Sequence, residues 1–321
     1  MSRETPRLVN IKQLLGLALA IGYLVAIELW LGWVNILKPV LSLPTTLLLQ
    51  MLGLLLLTYL TRAMRLYSYF RPATQGRFSH TLAVMLTHNV LNHLLPARVG
   101  EVSLPVLLRK QFAVDLLRGS AALVWLRVLD LHCLLVLALC AGILSSGFMP
   151  SLEFLNQHSM GAGIAVLLAG FAALPIVAFL LLRSDRWQPL VQSKRVNSLS
   201  ERLLAGIPSS YREFFVSWFW TWITWLVKLL TLAWLLSELL DLSLGAAAVG
   251  VTGGELTAIL PVHAPGGFGT YAAGVVAALL PFSLDSAAAF AAAAITHIFL
   301  FSAALLSGWL GWLALPKNTD K

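Results

Sequence analysis

Long apolar runs separated by short polar segments dominate the chain, and their lengths match the thickness of a bilayer. A helix needs about 20 mostly apolar residues to cross roughly 30 Å of hydrocarbon. Runs of about this length predict six full spans, at residues 14–34, 44–60, 119–144, 161–182, 214–237 and 287–313. The first run is too long for a secretory signal and lacks a small-residue cleavage site, so we expect an uncleaved anchor.

Two further apolar regions, 79–108 and 244–282, carry proline and glycine where a simple span would be continuous. Proline removes a backbone donor and ends a helix, whereas glycine permits a tight turn. The breaks are Leu95-Pro96-Ala97-Arg98-Val99-Gly100-Glu101 and Pro261-Val262-His263-Ala264-Pro265-Gly266-Gly267-Phe268-Gly269. Each region therefore predicts a helix, a break and a second helix.

The basic residues are confined to one set of loops. They occupy both termini and the segments 61–78, 109–118 and 183–213, whereas the remaining loops hold only Lys38. Because cytoplasmic loops carry the excess of Lys and Arg, both termini and the basic loop 183–213 are predicted to be cytoplasmic in a cell (inner) membrane. The net charge of +8 is then a topology signal and an attraction to anionic lipid, and we expect no nucleic-acid partner.

This topology makes each broken region enter and leave the membrane on one face. Region 79–108 lies between basic loops, and 244–282 lies between loops without basic residues. The halves 14–144 and 161–313 then repeat the order span, span, hairpin, span with inverted orientation. We therefore predict one all-α integral membrane domain over 1–321, with six spans, two re-entrant hairpins and an inverted repeat. Ten conventional short spans are the alternative, and they would put charged segments on the wrong side.

Composition excludes a water-soluble protein and several kinds of site. Charged residues make up 11% of the chain and apolar residues 59%, against about a quarter charged in a soluble domain. Cys133 and Cys140 lie about 10 Å apart along one predicted helix, too far for a disulfide. The sequence has no Walker motif and no CxxC, so we expect no cofactor and no metal site.

Residues at both breaks and on their flanks resemble a known membrane family. They are Phe78-Ser79, Asn92-His93-Leu94-Leu95-Pro96-Ala97-Arg98-Val99-Gly100-Glu101, Leu107-Leu108-Arg109-Lys110, Arg127-Val128-Leu129-Asp130-Leu131 and Pro265-Gly266-Gly267-Phe268-Gly269. This set is similar to the lysylphosphatidylglycerol synthase transmembrane region, the membrane portion of multiple-peptide-resistance-type proteins.

The resemblance implies that the chain handles lipids. In large members a soluble domain charges a lipid from aminoacyl-tRNA, while the membrane portion is associated with lipid flipping. We expect no synthase domain here, so the resemblance carries over a lipid-handling role and not the aminoacyl transfer. Members related to cardiolipin, hopanoid or lipid-linked sugar pathways show that the family does not fix the substrate.

Polar residues form one face of the helix before the first break. His88, Asn89, Asn92 and His93 follow helical spacing, and such a stripe in a membrane must face protein or water. We predict a hydrogen-bonding wall for a lipid head group, although contacts between helices would explain the same stripe. A metal site on His88 and His93 is disfavoured because an i, i+5 pair diverges around the helix.

Charged residues follow that break. Arg98 can hold a phosphate with its planar fork, or it can pair with Glu101 or Asp130. Arg127 and Asp130 are i, i+3 on one predicted helix, so an intrahelical ion pair is the default interpretation. We include all four among the substrate-binding residues, since breaking such a pair can gate a site.

The second break supplies glycines and titratable groups. Gly266, Gly267 and Gly269 precede a small-residue helix whose bare backbone N–H groups favour an anion, although close helix packing would also explain them. Glu255 and His263, together with His297, are predicted either to form a proton-responsive element or to be satisfied polar positions.

These features favour a lipid flippase or transporter that moves a phosphate-bearing head group by alternating access, with membrane lipids as its partners. The second hypothesis is an integral-membrane enzyme in which His88, His93, Glu101 and Asp130 supply acid–base groups. The third is a non-transporting partner of a lipid-modifying enzyme.

The charge pattern makes a testable prediction about topology. Reporters fused after Arg71 and after Lys110 should both report the cytoplasm, and reporters fused after Asp241 and after Asp285 should both report the outside. Opposite locations for Arg71 and Lys110 would contradict the first hairpin.

Overall fold

A computed structural model of the chain describes residues 25, 28–29, 32–94, 100–145, 161–183, 206–258, 267 and 269–315. Within these ranges every regular element is helical. The helices are α1 (Trp33–Ser42), α2 (Thr45–Tyr69), α3 (Arg71–Thr74), α4 (Phe78–Leu94), α5 (Ser103–Phe112), α6 (Leu116–Leu144), α7 (Gly161–Arg183), α8 (Tyr211–Leu240), α9 (Leu244–Thr257), α10 (Thr270–Leu279), a 3₁₀ turn (Leu280–Phe282) and α11 (Ser286–Ala314).

Four of these helices, α2, α6, α8 and α11, are long and apolar enough to cross a membrane. Each of the four contains most or all of a run that the sequence predicted as a span. Helix α7 begins at the predicted residue and ends at Arg183. The first predicted span, 14–34, lies almost wholly outside the described residues. The all-α, multi-pass class is therefore confirmed by the described helices.

Short polar side chains fix where the later helices begin. The Asp115 carboxylate accepts hydrogen bonds from the first-turn amides of α6, and Asp285 accepts one from α11. Ser210 and Ser243 do the same for α8 and α9. These caps satisfy amides that have no partner within the helix, so each helix starts at a defined residue.

Helix α2 extends further than the sequence predicted, because it ends at Tyr69 and not near residue 60. The expectation that Arg62 and Arg65 belong to a cytoplasmic loop is wrong. Both lie within α2, where Arg65 is buried. An arginine is tolerated inside a membrane bundle when it faces a partner in the protein interior, as Arg65 faces Asp130.

Helices α4 and α5 form an antiparallel pair around the first break. A side chain on Gly100 would collide with the backbone of Leu91 and Asn92, so the chain returns closely against α4. Further along the pair, His88 Nδ1 lies 2.8 Å from Ser103 Oγ, whose single hydrogen is donated to the Gly100 carbonyl. His88 therefore donates through Nδ1, and this bond ties the two helices together.

Helices α9 and α10 form a second antiparallel pair, and glycines set its close spacing. A Cβ on Gly253 would lie 2.5 Å from both the Ala278 Cβ and the Gly274 carbonyl oxygen. A Cβ on Gly274 would lie 2.5 Å from Thr257 Cγ2. Small residues allow this approach, which is how membrane helices pack without a hydrophobic driving force between them.

The helix contacts of the two halves correspond. Helix α4 packs on α11 while α9 packs on α6, and α2 packs on α4 while α8 packs on α9. Likewise α5 contacts α6 while α10 contacts α11, and α1 contacts α11 while α7 contacts α6. Helices α2 and α8 contact each other extensively. Exchanging the halves thus reproduces most of the contact pattern.

The glycine packing between α9 and α10 makes a testable prediction. Gly253→Ala should lower the stability of the purified protein by about 1–3 kcal/mol, because the new methyl forces the hairpin helices apart. Gly53→Ala in α2 is the matched control, since nothing lies within 4 Å of its Cβ position. The control should be neutral or stabilising by up to about 1 kcal/mol. Equal thermal unfolding of both variants would contradict the tight hairpin.

Candidate functional site

A cavity of about 130 Å³ lies between the two hairpins. The first hairpin contributes Asn92, His93 and Glu101, and the second contributes Glu255, Ala258, Gly267 and Tyr271. Helices α2, α6, α8 and α11 complete the wall with Arg62, Arg127, Asp130, Trp225, Lys228, His297 and Leu300. The space suits a small polar group and is well below the size of a drug-sized ligand pocket.

Asp130 is the centre of the charged network on one side of this cavity. Its Oδ1 accepts hydrogen bonds from Arg65 Nη1 at 2.5 Å and from Trp225 Nε1 at 3.1 Å. Its Oδ2 accepts one from Arg65 Nη2 at 3.3 Å and lies 3.7 Å from Arg127 Nη1. The principal partner of Asp130 is therefore Arg65 on α2, and the expected intrahelical pair with Arg127 is only a secondary contact.

Arg65 also links α2 to α8. Its Nη1 donates to Thr221 Oγ1 at 2.9 Å, and one turn away Thr61 Oγ1 lies 2.7 Å from Thr224 Oγ1. Residue numbers rise along one helix as they fall along the other, so the helices cross antiparallel. Both bonds are buried, and they fix the rotation of α2 that turns its arginines inward.

Arg62 faces the same cavity, and its positive charge is less well neutralised than that of Arg65. Its Nη1 donates to Asn89 Oδ1 at 3.3 Å, and its Nε is buried with no partner among the described residues. Arg62 makes no ion pair with any described carboxylate. Because an amide does not neutralise a guanidinium, Arg62 keeps a full positive charge at the cavity wall.

Two further ion pairs border the cavity. Arg127 Nε lies 3.4 Å from Glu101 Oε1, in a pair whose side chains are 34% and 22% exposed. Lys228 Nζ donates to Glu255 Oε2 at 2.6 Å, in a pair whose side chains are only 10% and 4% exposed.

The described charges of this region do not balance. The walls of the cavity and of a smaller adjoining one carry four cations, which are Arg62, Arg65, Arg127 and Lys228. They carry three carboxylates, which are Glu101, Asp130 and Glu255. With neutral histidines, one positive charge is in excess among the described residues, which favours a monoanionic ligand.

The histidines and amides of the first hairpin divide between the two cavities. Asn92 and His93 line the larger one, where His93 Nδ1 donates to the Asn89 carbonyl at 2.8 Å. His88 and Asn89 line the adjoining cavity of about 30 Å³, which is large enough for a water molecule. The predicted polar stripe therefore faces the protein interior along its length.

The second break approaches the cavity at Gly267. This residue has φ 74°, and a Cβ there would lie 3.3 Å from His297 Cε1. The His297 ring in turn packs on Tyr271, with ring centroids 4.8 Å apart. Gly269 has φ 81° and precedes α10, and it is not among the residues that line the cavity.

The predicted site residues Arg98, His263 and Gly266 lie outside the described residues. Of the others, the structure brings seven to the larger cavity, which are Asn92, His93, Glu101, Arg127, Asp130, Glu255 and Gly267. The assignment of these residues to substrate binding stays a prediction.

Sequence reasoning missed Arg62, Arg65 and Trp225 as members of this site. Trp225 is buried, and its Nε1 donates to Asp130 Oδ1. The signal for the arginines was present, because Thr58, Thr61, Arg62 and Arg65 follow i, i+3, i+4, i+7 spacing. They continue one polar face beyond the apolar run of α2.

Comparisons with known proteins agree with the membrane class and add a lipid context. The profile described as the lysylphosphatidylglycerol synthase TM region matches residues 13–308. No match was found among curated proteins. None was found among solved structures either.

The buried pair of Arg65 and Asp130 makes a testable prediction about stability. Asp130→Asn should destabilise the protein by about 3–5 kcal/mol, because it leaves the Arg65 charge buried without its anion. The double variant Arg65→Met/Asp130→Leu should lose less than Asp130→Asn, since no unpaired charge remains. The matched control is Asp241→Asn, the same change at an exposed residue, which should be nearly neutral. Thermal unfolding in detergent measures all three, and a double variant that loses as much stability as Asp130→Asn would contradict the pairing.

Proposed function

Because the chain belongs to the lysylphosphatidylglycerol synthase TM region family, we propose that it is a flippase that moves a phosphate-bearing lipid head group across the inner membrane. The family places the chain in a membrane-lipid context. We propose in addition that the lipid is moved between leaflets and that its head group carries a phosphate.

One observation carries the proposal, which is the guanidinium of Arg62 on the wall of a cavity lined by both hairpins, where it makes no ion pair with any carboxylate in the described part of the chain. A phosphodiester carries one negative charge, which matches the single excess cation of the described residues. Arginine binds phosphate oxygens through a planar fork, and the bond strengthens in a site shielded from water. The Arg127 guanidinium on the same wall is positioned to share the phosphate.

The cavity volume of about 130 Å³ supports entry of the head group alone. The acyl chains of a phospholipid occupy several times that volume, so they would remain in the bilayer while the polar group passes through the protein. This arrangement lowers the main barrier to flipping, which is the transfer of a charged group through hydrocarbon.

The matching contacts of the two halves support alternating access. We propose that the hairpins α4–α5 and α9–α10 are re-entrant from opposite faces and belong to an inverted repeat with cytoplasmic termini. The antiparallel crossing of α2 and α8 at Thr61 and Thr224 is what a two-fold axis in the membrane plane would require. Rocking of one half against the other would then open the cavity to each face in turn.

The proposal predicts the behaviour of Arg62 variants in liposomes that contain a fluorescent phosphatidylglycerol. Wild-type protein should speed exchange of the labelled lipid between leaflets, as measured by quenching of outer-leaflet label. Arg62→Gln should lower that rate at least about tenfold, because a charge-assisted phosphate contact is lost. Arg62→Lys should restore part of it, since an ammonium lacks the planar fork.

The matched control is Arg77→Gln, which neutralises an exposed arginine that lies over the Phe112 ring away from the cavity. It should leave the rate near wild type. Analysis of the same liposomes for altered lipids separates the other hypotheses. Chemical turnover would indicate an enzyme. Neither exchange nor turnover, with folded protein, would leave the partner role and overturn the flippase.

A further inference from the structure

Two stretches of eight residues, one in α2 and one in α8, share a pattern that the structure brings together. Thr58-Tyr59-Leu60-Thr61-Arg62-Ala63-Met64-Arg65 and Thr221-Trp222-Ile223-Thr224-Trp225-Leu226-Val227-Lys228 both have Thr at the first and fourth positions. Both have an aromatic residue second and a cation eighth. The fourth-position threonines bond to each other across the helix crossing, at 2.7 Å. Lys228 is therefore the second-half counterpart of Arg65.

The two stretches differ in how their charges meet the hairpins. In the first half, Arg62 contacts the neutral amide of Asn89 on α4. In the second half, the position of Arg62 is taken by Trp225, and Lys228 contacts the carboxylate of Glu255 on α9. The first half thus offers the cavity a cation beside an amide, whereas the second offers a cation that already holds an anion.

The Lys228–Glu255 pair is buried and costly to desolvate, so it contributes little net stability. An incoming anion could therefore take the place of the Glu255 carboxylate on Lys228. A phosphate monoanion that replaced the Glu255 carboxylate on Lys228 would keep the charge around Lys228 unchanged. A dianionic phosphomonoester would not. The Tyr271 ring packs on Gly254, the neighbour of Glu255 in the chain. The buried Tyr271 hydroxyl has no partner among the described residues, so it is available to donate a hydrogen bond to the displaced Glu255 carboxylate.

We propose that Lys228 is a second anion-binding residue of the cavity, which a phosphodiester monoanion reaches by displacing the carboxylate of Glu255. This inference rests on the proposed function, because it assumes that the cavity receives a phosphate. The head group would contact Arg62 in the first half and Lys228 in the second, and Glu255 competes with it for the second position.

Displacement predicts that weakening Glu255 tightens anion binding. Purified protein is titrated with phosphatidylglycerol, and the bound fraction is measured by native mass spectrometry. Glu255→Gln, which gives the second hairpin an amide as in the first, should raise the affinity on the order of tenfold. Glu255→Asp should raise it by a smaller factor, because the shorter side chain holds Lys228 less well while the charge count is unchanged.

Three variants make the result specific. Glu238→Gln removes a carboxylate from the same α8 as Lys228 but at an exposed position, so it should leave the affinity near wild type. Lys228→Gln/Glu255→Gln should bind no more tightly than wild type, since the second position is lost. Lys228→Arg should retain binding. An unchanged or lowered affinity in Glu255→Asp overturns the displacement, and this variant decides the matter if Glu255→Gln does not fold.

Two further arms separate the inference from its premise and the lipid from free phosphate. If Arg62→Gln weakens phosphatidylglycerol binding but the Glu255 variants do not strengthen it, the second position fails and the proposed function stands. If wild-type protein retains no phosphatidylglycerol, both fail. In the last arm, inorganic phosphate at millimolar concentration is added to the Glu255→Gln variant with bound lipid. If the phosphate displaces the lipid, Lys228 binds small anions in general, and a site for the lipid phosphodiester is overturned.

Discussion

A buried cation in a membrane bundle must find an anion or a polar partner inside the protein, and the pair of Arg65 and Asp130 meets that requirement here. The pair joins α2 to α6, and the bond from Arg65 to Thr221 joins both to α8. In this arrangement Arg62, one turn along α2 from Arg65, lines the cavity and donates to Asn89. The charge on which the proposed anion site rests thus depends on how Asp130 neutralises the neighbouring Arg65.

The sequence was sufficient for the membrane class, for the positions of α2, α6, α8 and α11, and for where α4 ends and α10 begins, because each depends on local hydropathy, proline and glycine. It was not sufficient for the ends of the helices where charge and span overlap. Hydropathy treats Arg62 and Arg65 as signals of a loop, whereas the helix continues to Tyr69 since its polar face is satisfied by α4, α6 and α8. The spacing of Thr58, Thr61, Arg62 and Arg65 marks one polar face of a helix, but only the tertiary partners show that this face is buried.

Much of the candidate site could be predicted from the sequence as individual residues, but the ion pairs that these residues form could not. Glu101, Asp130 and Glu255 were all chosen from the sequence, yet each has a partner from another helix. An i, i+3 spacing such as that of Arg127 and Asp130 permits a pair but does not compete with a bidentate arginine from α2. Whether Arg65 or Arg127 is the principal partner of Asp130 depends on the rotation of α2 about its axis. The bonds from α2 to threonines of α8 set that rotation.

The chemical difference between the halves has a consequence for the proposed transport. A ligand shifts a two-state equilibrium only through its different affinity for the two states. If alternating access presents Arg62 toward one face and Lys228 toward the other, a phosphate meets an arginine held by the neutral amide of Asn89 at the first but must displace the Glu255 carboxylate at the second. Loading and release would then differ between the faces, and unloading from Lys228 would be helped by the returning carboxylate. Such asymmetry changes rates and occupancies, but microscopic reversibility forbids it from accumulating lipid in one leaflet. Net accumulation would require a coupled energy source, whereas equilibration of a lipid made on one face requires none.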